Sequence, residues 1–218
     1  MMRFLLIAIL LPLTCSAQNP WKDVYTESTW TERDTWQKPD TLIEFLKLTK
    51  RSLVADIGSH EGYFAMKLAA AVPEGVVYAV DISESKLQKL EEISVRRGFS
   101  NVRPILAAPD NPKLPPGGID AVLIVDTYHE IRDHDTFLIN LKKALKPGAV
   151  VVICEPLADE RKGQPRDAQF RKHELESRYA LEDLRKAEFS ILHHEERFVD
   201  RTEQKGDTMW VIVARPKG

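Results

Sequence analysis

The stretch from Leu53 to Leu68, LVADIGSHEGYFAMKL, constrains this chain more than any other. Leu53, Val54, Ala55 and Ile57 form an apolar run without polar alternation, which predicts a strand covered on both faces of a parallel sheet. Gly58 and Gly62 then remove side chains where the backbone must bend sharply, and Phe64, Leu68 and Ala71 recur at helical spacing. The segment reads as strand, tight turn and helix. The first N–H groups of such a helix have no partner within it and point at whatever occupies the turn. A nucleotide-like ligand is the natural occupant.

A second acid narrows the ligand. Val76 to Val80 (VVYAV) is another buried-strand candidate and ends at Asp81, about the distance beyond a glycine turn at which a carboxylate receives ribose hydroxyls. Asp56 and Asp81, at the ends of adjacent strands, can hold one nucleoside between them. Asp56-Ile57-Gly58-Ser59-His60-Glu61-Gly62 resembles the first motif of the class I S-adenosylmethionine-dependent methyltransferases, acid-x-Gly-x-Gly-x-Gly, with Asp81 at the family's ribose-binding acid. The dehydrogenase fingerprint G-x-G-x-x-G is absent. His60 replaces the family's middle glycine, so its side chain must point away from the methionine part of the cofactor or contact it.

The resemblance extends over about residues 30 to 215 and includes Leu145-Lys146-Pro147-Gly148 before the fifth strand. It implies an α/β fold: a Rossmann-like, seven-stranded, mostly parallel sheet with an antiparallel last strand and helices on both faces. It also implies S-adenosylmethionine as cofactor, held by Asp56, Gly58, Ser59, His60, Gly62, Asp81, Ile82, Asp110 and Asp126, and a small-molecule methyl acceptor. Asp110 is the remaining acid near the adenine position, where Ala107 and Ala108 stand; a simple turn-forming role among prolines is the competing reading.

The other elements follow in order. Asp40 is expected to cap a helix carrying Leu42, Ile43, Phe45 and Leu46. Residues 18–50 as a whole are expected to form a helical lid, in which Trp36 and Arg33 either face the substrate or serve as a packing anchor and a surface ion-pair partner. Ser83 is placed to cap a helix bearing Leu87, Leu90 and Ile93 and ending at Gly98. Strands are expected at 102–106, 119–125 and 149–153, and a helix with Phe137, Leu138, Leu141 and Leu145 stops at Lys146-Pro147-Gly148. The charged stretch 159–178 is expected to be a mobile connection followed by a helix. A helix over 179–187 and strands over 189–199 and 208–214, joined by a hairpin near Lys205-Gly206-Asp207, complete the methyltransferase domain, 51–218.

Ligands in an open α/β sheet collect beyond the carboxyl ends of the strands, where Asp56, Asp81, the segment Asp126 to Glu130 and Glu155 converge. A sulfonium donor requires mainly a nucleophile held in line and water excluded. His129 is the candidate base for a protonated acceptor, Tyr128 the candidate wall of the methyl-donor pocket, and Glu130 the candidate orienter of His129. Helix capping or packing is the alternative for His129. His173 and Glu174 either reach the acceptor or are solvated. His193 and His194 face opposite sides of a strand and do not chelate one ion, so no metal is expected.

The chain has 218 residues with 31 basic and 33 acidic side chains, and no basic run, which suits one globular domain and argues against nonspecific nucleic-acid binding. Residues 1–17 depart from that average: Arg3 precedes the apolar run Phe4 to Leu13, and Thr14-Cys15-Ser16-Ala17 follows, the pattern of a secretory signal peptide too short for a stable membrane anchor. Cleavage after Ala17 would leave 30 basic against 33 acidic groups, a net −3, and only Cys154, so an intramolecular disulfide is excluded. The expected location is periplasmic or secreted; a lipoprotein attached at Cys15, whose box Pro12 and Thr14 fit poorly, and a buried N-terminal helix are the competing readings. An exported enzyme meets no evident supply of a cytosolic cofactor, and the competing function is therefore an exported, noncatalytic nucleoside-binding or interaction module on the same fold.

Overall fold

The computed structural model describes residues 25–217; the expected signal peptide lies outside the described residues. The sheet is built from β1 (Leu53–Ile57), β2 (Val76–Asp81), β3 (Val102–Leu106), β4 (Ile119–Val125), β5 (Leu145–Leu157), β6 (Phe189–Arg201) and β7 (Asp207–Pro216). Its order is β3-β2-β1-β4-β5-β7-β6; the first five strands pair in parallel, and β7 runs antiparallel between β5 and β6. The order reverses between β1 and β4, which opens a crevice above their carboxyl ends.

Continuous apolar strands need cover on both faces. Alternate residues of β4 divide accordingly: Ala121, Leu123 and Val125 pack with α1 (Trp30–Trp36), α2 (Pro39–Phe45), α3 (Tyr63–Ala71) and α4 (Glu84–Arg96), whereas Val122 and Ile124 pack with α5 (His134–Ala144) and α7 (Ser177–Lys186). Trp30, Trp36, Leu42 and Leu46 belong to the first cluster, so the segment preceding the sheet is part of its core.

Several boundaries differ from expectation for local reasons. The second helix begins at Pro39, with Lys38 in the left-handed region at φ 52° as its cap; Asp40 lies in the first turn, where its charge complements the helix dipole. Ser83 occupies the expected cap position, but its hydroxyl pairs with Ser85 while its N–H goes to Asp81 Oδ1 at 2.9 Å. The fifth strand starts at Leu145, earlier than expected, because Leu145 pairs with Ile119 before a register shift. No simple hairpin joins β6 to β7; a short α8 (Thr202–Lys205) ends at Gly206 between them. The charged stretch after β5 is organised by α6 (Arg166–Phe170): the buried Gln169 amide donates to the carbonyls of Arg161 and Gln164 and to Glu176, and accepts the Glu176 N–H at 2.7 Å.

Candidate active site

The turn after β1 is fastened to the end of β2. The N–H groups of Gly58 and Ser59 both donate to the Val80 carbonyl, at 2.8 and 3.0 Å, and the His60 N–H donates to Asp81 Oδ2 at 2.9 Å. Gly58 has φ +77°, and a Cβ there would lie 2.0 Å from Thr127 Oγ1, so only glycine fits between β1 and the loop after β4. Gly62, at φ +98°, caps α3 and packs against Leu90 and Met66; it shapes the turn and does not line the cavity. His60 itself adopts φ 50°, a conformation that histidine accepts more readily than most residues, which explains how it replaces a glycine here.

This turn forms one wall of a cavity of about 270 Å³ at the switch between β1 and β4. Asp56, Gly58, Ser59, His60, Asp81, Ile82, Asp126 and Glu130 all line it. Buried Asp56 Oδ2, Ser59 Oγ and His60 Nδ1 have no hydrogen-bond partner among the described residues. Burial pushes the Asp56 carboxyl up to about 7, against the opposing pull of Arg33 and the Ala65 N–H. Such an arrangement asks for a donor from a ligand. Asp81 spends one lone pair of each oxygen on the N–H groups of His60 and Ser83, leaving both oxygens able to accept further. Ile82 is 65% exposed at the cavity edge, an apolar platform for a flat ring.

The first residues of the described chain close the cavity from the other side. The Tyr25 hydroxyl donates to Asp126, accepts from Lys205 Nζ at 2.9 Å, and its ring lies 5.8 Å from that of His60. Arg33 is buried, stacks 4.2 Å from the Tyr63 ring centroid, donates to Gln37 Oε1 and makes no ion pair among the described residues, so the surface ion-pair reading is replaced by a cation lining the cavity. Its burial with aromatic rings rather than carboxylates is invisible in the local sequence. Asp126 and Asp207 share the fully buried Arg201, at 2.8 and 3.1 Å. Burial alone would raise the Asp126 carboxyl, but Arg201, His129 and the Tyr25 hydroxyl hold it well below the usual range. The periodicity of β6 gave no sign of this arginine's role.

Beyond β4 the chain makes a 3₁₀ turn, Tyr128–Glu130, hung from one carboxylate. Glu155, fully buried, accepts the N–H groups of Thr127, Tyr128 and His129 at 2.6, 2.8 and 3.2 Å, and the His129 ring through Nδ1. Burial would lower the His129 pKa, but Glu155, Glu130 and Asp126 overcome it and push it up to about 10. The pairing with Glu155 and Glu130 thus favours the protonated ring, which weighs against the expected role of a free base. It does not line the cavity, nor does Tyr128, whose ring packs on His134 and whose hydroxyl donates to Asp183 at 3.0 Å. Tyr128 is a core residue of the other face. Asp110 also lies outside the lining: its carbonyl accepts from Asn140, and Ala107, Ala108 and Pro109 supply the wall there. Glu174 is buried and accepts the Ala158 N–H, whereas His173 contacts Glu130.

Fold and site together define a class I methyltransferase scaffold, with its glycine turn and two strand-end acids around one cavity. Residues 55–151 match the family model of a methyltransferase domain. Over this stretch the chain is similar to methyltransferase domains, and its fold is the Rossmann-like one of solved S-adenosylmethionine-dependent methyltransferases. A demethylmenaquinone methyltransferase of Geobacillus kaustophilus (strain HTA426) is 34% identical over 107 residues, 49% of this chain and 45% of that protein. The chain spans about half the length of the curated relatives it matches. A SAM-dependent methyltransferase structure from Aquifex aeolicus has a TM-score of 0.69 at 22% identity, covering 84% of this chain and 92% of that one. The [4+2]-cyclase SpnF has a TM-score of 0.71 at 18% identity, covering 84% and 82%. Both share the fold, one named for a methyltransferase and one for a cyclase, so the architecture alone does not fix the reaction.

The residues present fit the cofactor of the class. S-adenosylmethionine offers an ammonium, ribose hydroxyls and an adenine ring; the cavity offers an unpartnered Asp56 oxygen, a half-used Asp81 and an apolar edge at Ile82.

Proposed function

We propose that the protein transfers a methyl group from S-adenosylmethionine to a small-molecule acceptor by in-line displacement. The observation that carries this reading is the convergence of Asp56 and Asp81 on one cavity in which buried polar atoms lack partners among the described residues. Bound S-adenosylmethionine supplies a methyl group activated by a positive sulfur. The chain's part is to hold and to exclude: Asp81 accepts from ribose hydroxyls, Asp56 accepts from the ammonium, and Phe64, Val80, Ile82 and Ile131 keep water from the walls. Glu130 is the carboxylate of the 3₁₀ turn that lines the cavity, and it is the residue assigned here to the acceptor. The names of the curated relatives, both demethylmenaquinone methyltransferases, favour a small organic acceptor.

The test is release of S-adenosylhomocysteine by the full chain, across a panel of small phenols, quinols, amines and carboxylates. Acceptor-dependent release that disappears in Asp81→Ala supports the reading. Saturable cofactor binding without release from any acceptor would leave the noncatalytic module.

The reading includes export. Arg3, the apolar run Phe4 to Leu13 and the small residues ending at Ala17 support a cleaved signal peptide. Among the described residues no helix is long and apolar enough to cross a membrane. Cell fractionation with N-terminal sequencing is expected to find a chain starting at Gln18 outside the cytosol; an intact Met1 in the cytosol would overturn export.

A further inference from the structure

At the rim of the cavity three side chains from two separate loops bring their ligand atoms together. His129 and Glu130 come from the 3₁₀ turn after β4, and His173 from the turn between α6 and α7. His129 Nε2 lies 3.2 Å from Glu130 Oε1, His173 Nδ1 contacts the same oxygen, and the two imidazole rings stand edge to face with centroids 5.9 Å apart. All three ligand atoms lie within 4.8 Å of one another. Two ligands at about 2.0–2.2 Å from a zinc ion are separated by up to about 4 Å, so a small adjustment of exposed side chains brings these atoms to one centre.

The support behind the cluster distinguishes it from a chance group of surface charges. A ligating histidine ordinarily gives its other ring nitrogen to a carboxylate, which fixes the tautomer and the ring direction. His129 has that arrangement: Nδ1 is paired with Glu155, and Glu155 is fully buried and fastened by three backbone N–H groups. Nε2 is thereby aimed at Glu130 and His173, and an ion bound there displaces to solvent the proton that Nε2 otherwise shares with Glu130. The two other side chains are partly exposed, 48% for Glu130 and 65% for His173, which leaves a way in for an ion and room for further ligands.

We propose that His129 Nε2, Glu130 and His173 Nδ1 form a binding site for a divalent cation of the zinc class at the edge of the cofactor cavity. Two imidazoles and one carboxylate select a borderline ion over magnesium or calcium, which take oxygen ligands. Three protein ligands leave coordination positions open, and Glu130 also lines the cavity. Binding of the ion stands independently of methyl transfer. Its use, holding an oxygen atom of the acceptor beside the cofactor, rests on the methyltransferase reading.

The experiment is calorimetric titration of the metal-stripped full chain with Zn²⁺ and, separately, Mg²⁺. It includes the His173→Ala and Glu130→Gln variants, with His194→Ala on β6 as a control and circular dichroism to verify folding. Both ligand substitutions fall on partly exposed side chains and spare the buried His129–Glu155 pair. We expect one Zn²⁺ per chain, little response to Mg²⁺, an affinity loss of about tenfold or more in each ligand variant, and none in the control. Absence of stoichiometric Zn²⁺ binding by folded wild type, or binding unchanged in both variants, would overturn the site and leave a hydrogen-bonded ion cluster. Titration of wild type with S-adenosylhomocysteine before metal is added reports on the cofactor cavity separately, so the two readings fail independently.

Discussion

The Asp56 carboxyl, pushed up to about 7 by burial, couples the cavity to pH. Its folded pKa exceeds its unfolded one, so the native chain binds the extra proton between roughly pH 4 and 7. The associated stability is complete below about pH 4 and is lost as pH rises through about 7. Urea unfolding of the ligand-free protein is expected to show this decline, and Asp56→Asn to remove it. Cofactor affinity should run the other way, strengthening from pH 6 to 8 as the carboxylate becomes available to an ammonium; a flat affinity profile would contradict that role. At Gly58 an added Cβ meets Thr127 and strains a left-handed backbone, so Gly58→Ala should cost about 2–4 kcal/mol of stability in denaturant titrations. Both residues were legible as part of a strand-turn-helix motif. Arg33 was read as either substrate-facing or a surface ion-pair partner, and Tyr25 and Arg201 were not read as site residues, because a buried arginine facing a cavity looks in sequence like any surface arginine and its partners lie far along the chain. Tyr128 and His129 were read by their place after a strand, and only tertiary packing separates a residue that faces the crevice from one turned beneath it.

Among elements, the helices ahead of the sheet matter most for what the cavity can hold. Leu42 is fully buried in the cluster shared by α3, α4 and the central strands, while Arg33 lines the cavity from α1 of the same segment. Leu42→Ala is expected to lower unfolding free energy by about 2–5 kcal/mol, and a near-neutral result would show that the segment is a loosely attached cover. Strands β1 to β4 were legible almost to the residue because uninterrupted apolar runs between turn residues leave little freedom in a parallel sheet. The connection from β5 to α7 was not. Its order depends on Gln169, a polar residue whose burial is made possible by hydrogen bonds to Arg161, Gln164 and Glu176, and such satisfaction has no periodic signature.

At the scale of the whole molecule, the sheet brings two acids from adjacent strands, a glycine turn and the β4 loop to one crevice, and the segment ahead of the sheet lines it with Tyr25 and, from α1, Arg33. Glu130, from the turn after β4, adds a further carboxylate to the same lining. Asp81 is the residue on which the account turns, since it joins the turn to the β2 end and keeps free lone pairs for hydroxyl groups. Calorimetric titration of the full chain with S-adenosylmethionine and S-adenosylhomocysteine, beside the Asp81→Ala variant, is the most direct test. Saturable binding of one ligand per chain is expected, weakened by about 10- to 100-fold or more when the charge-assisted hydrogen bonds of Asp81 are removed. Absence of binding of either ligand by protein shown to be folded would contradict it.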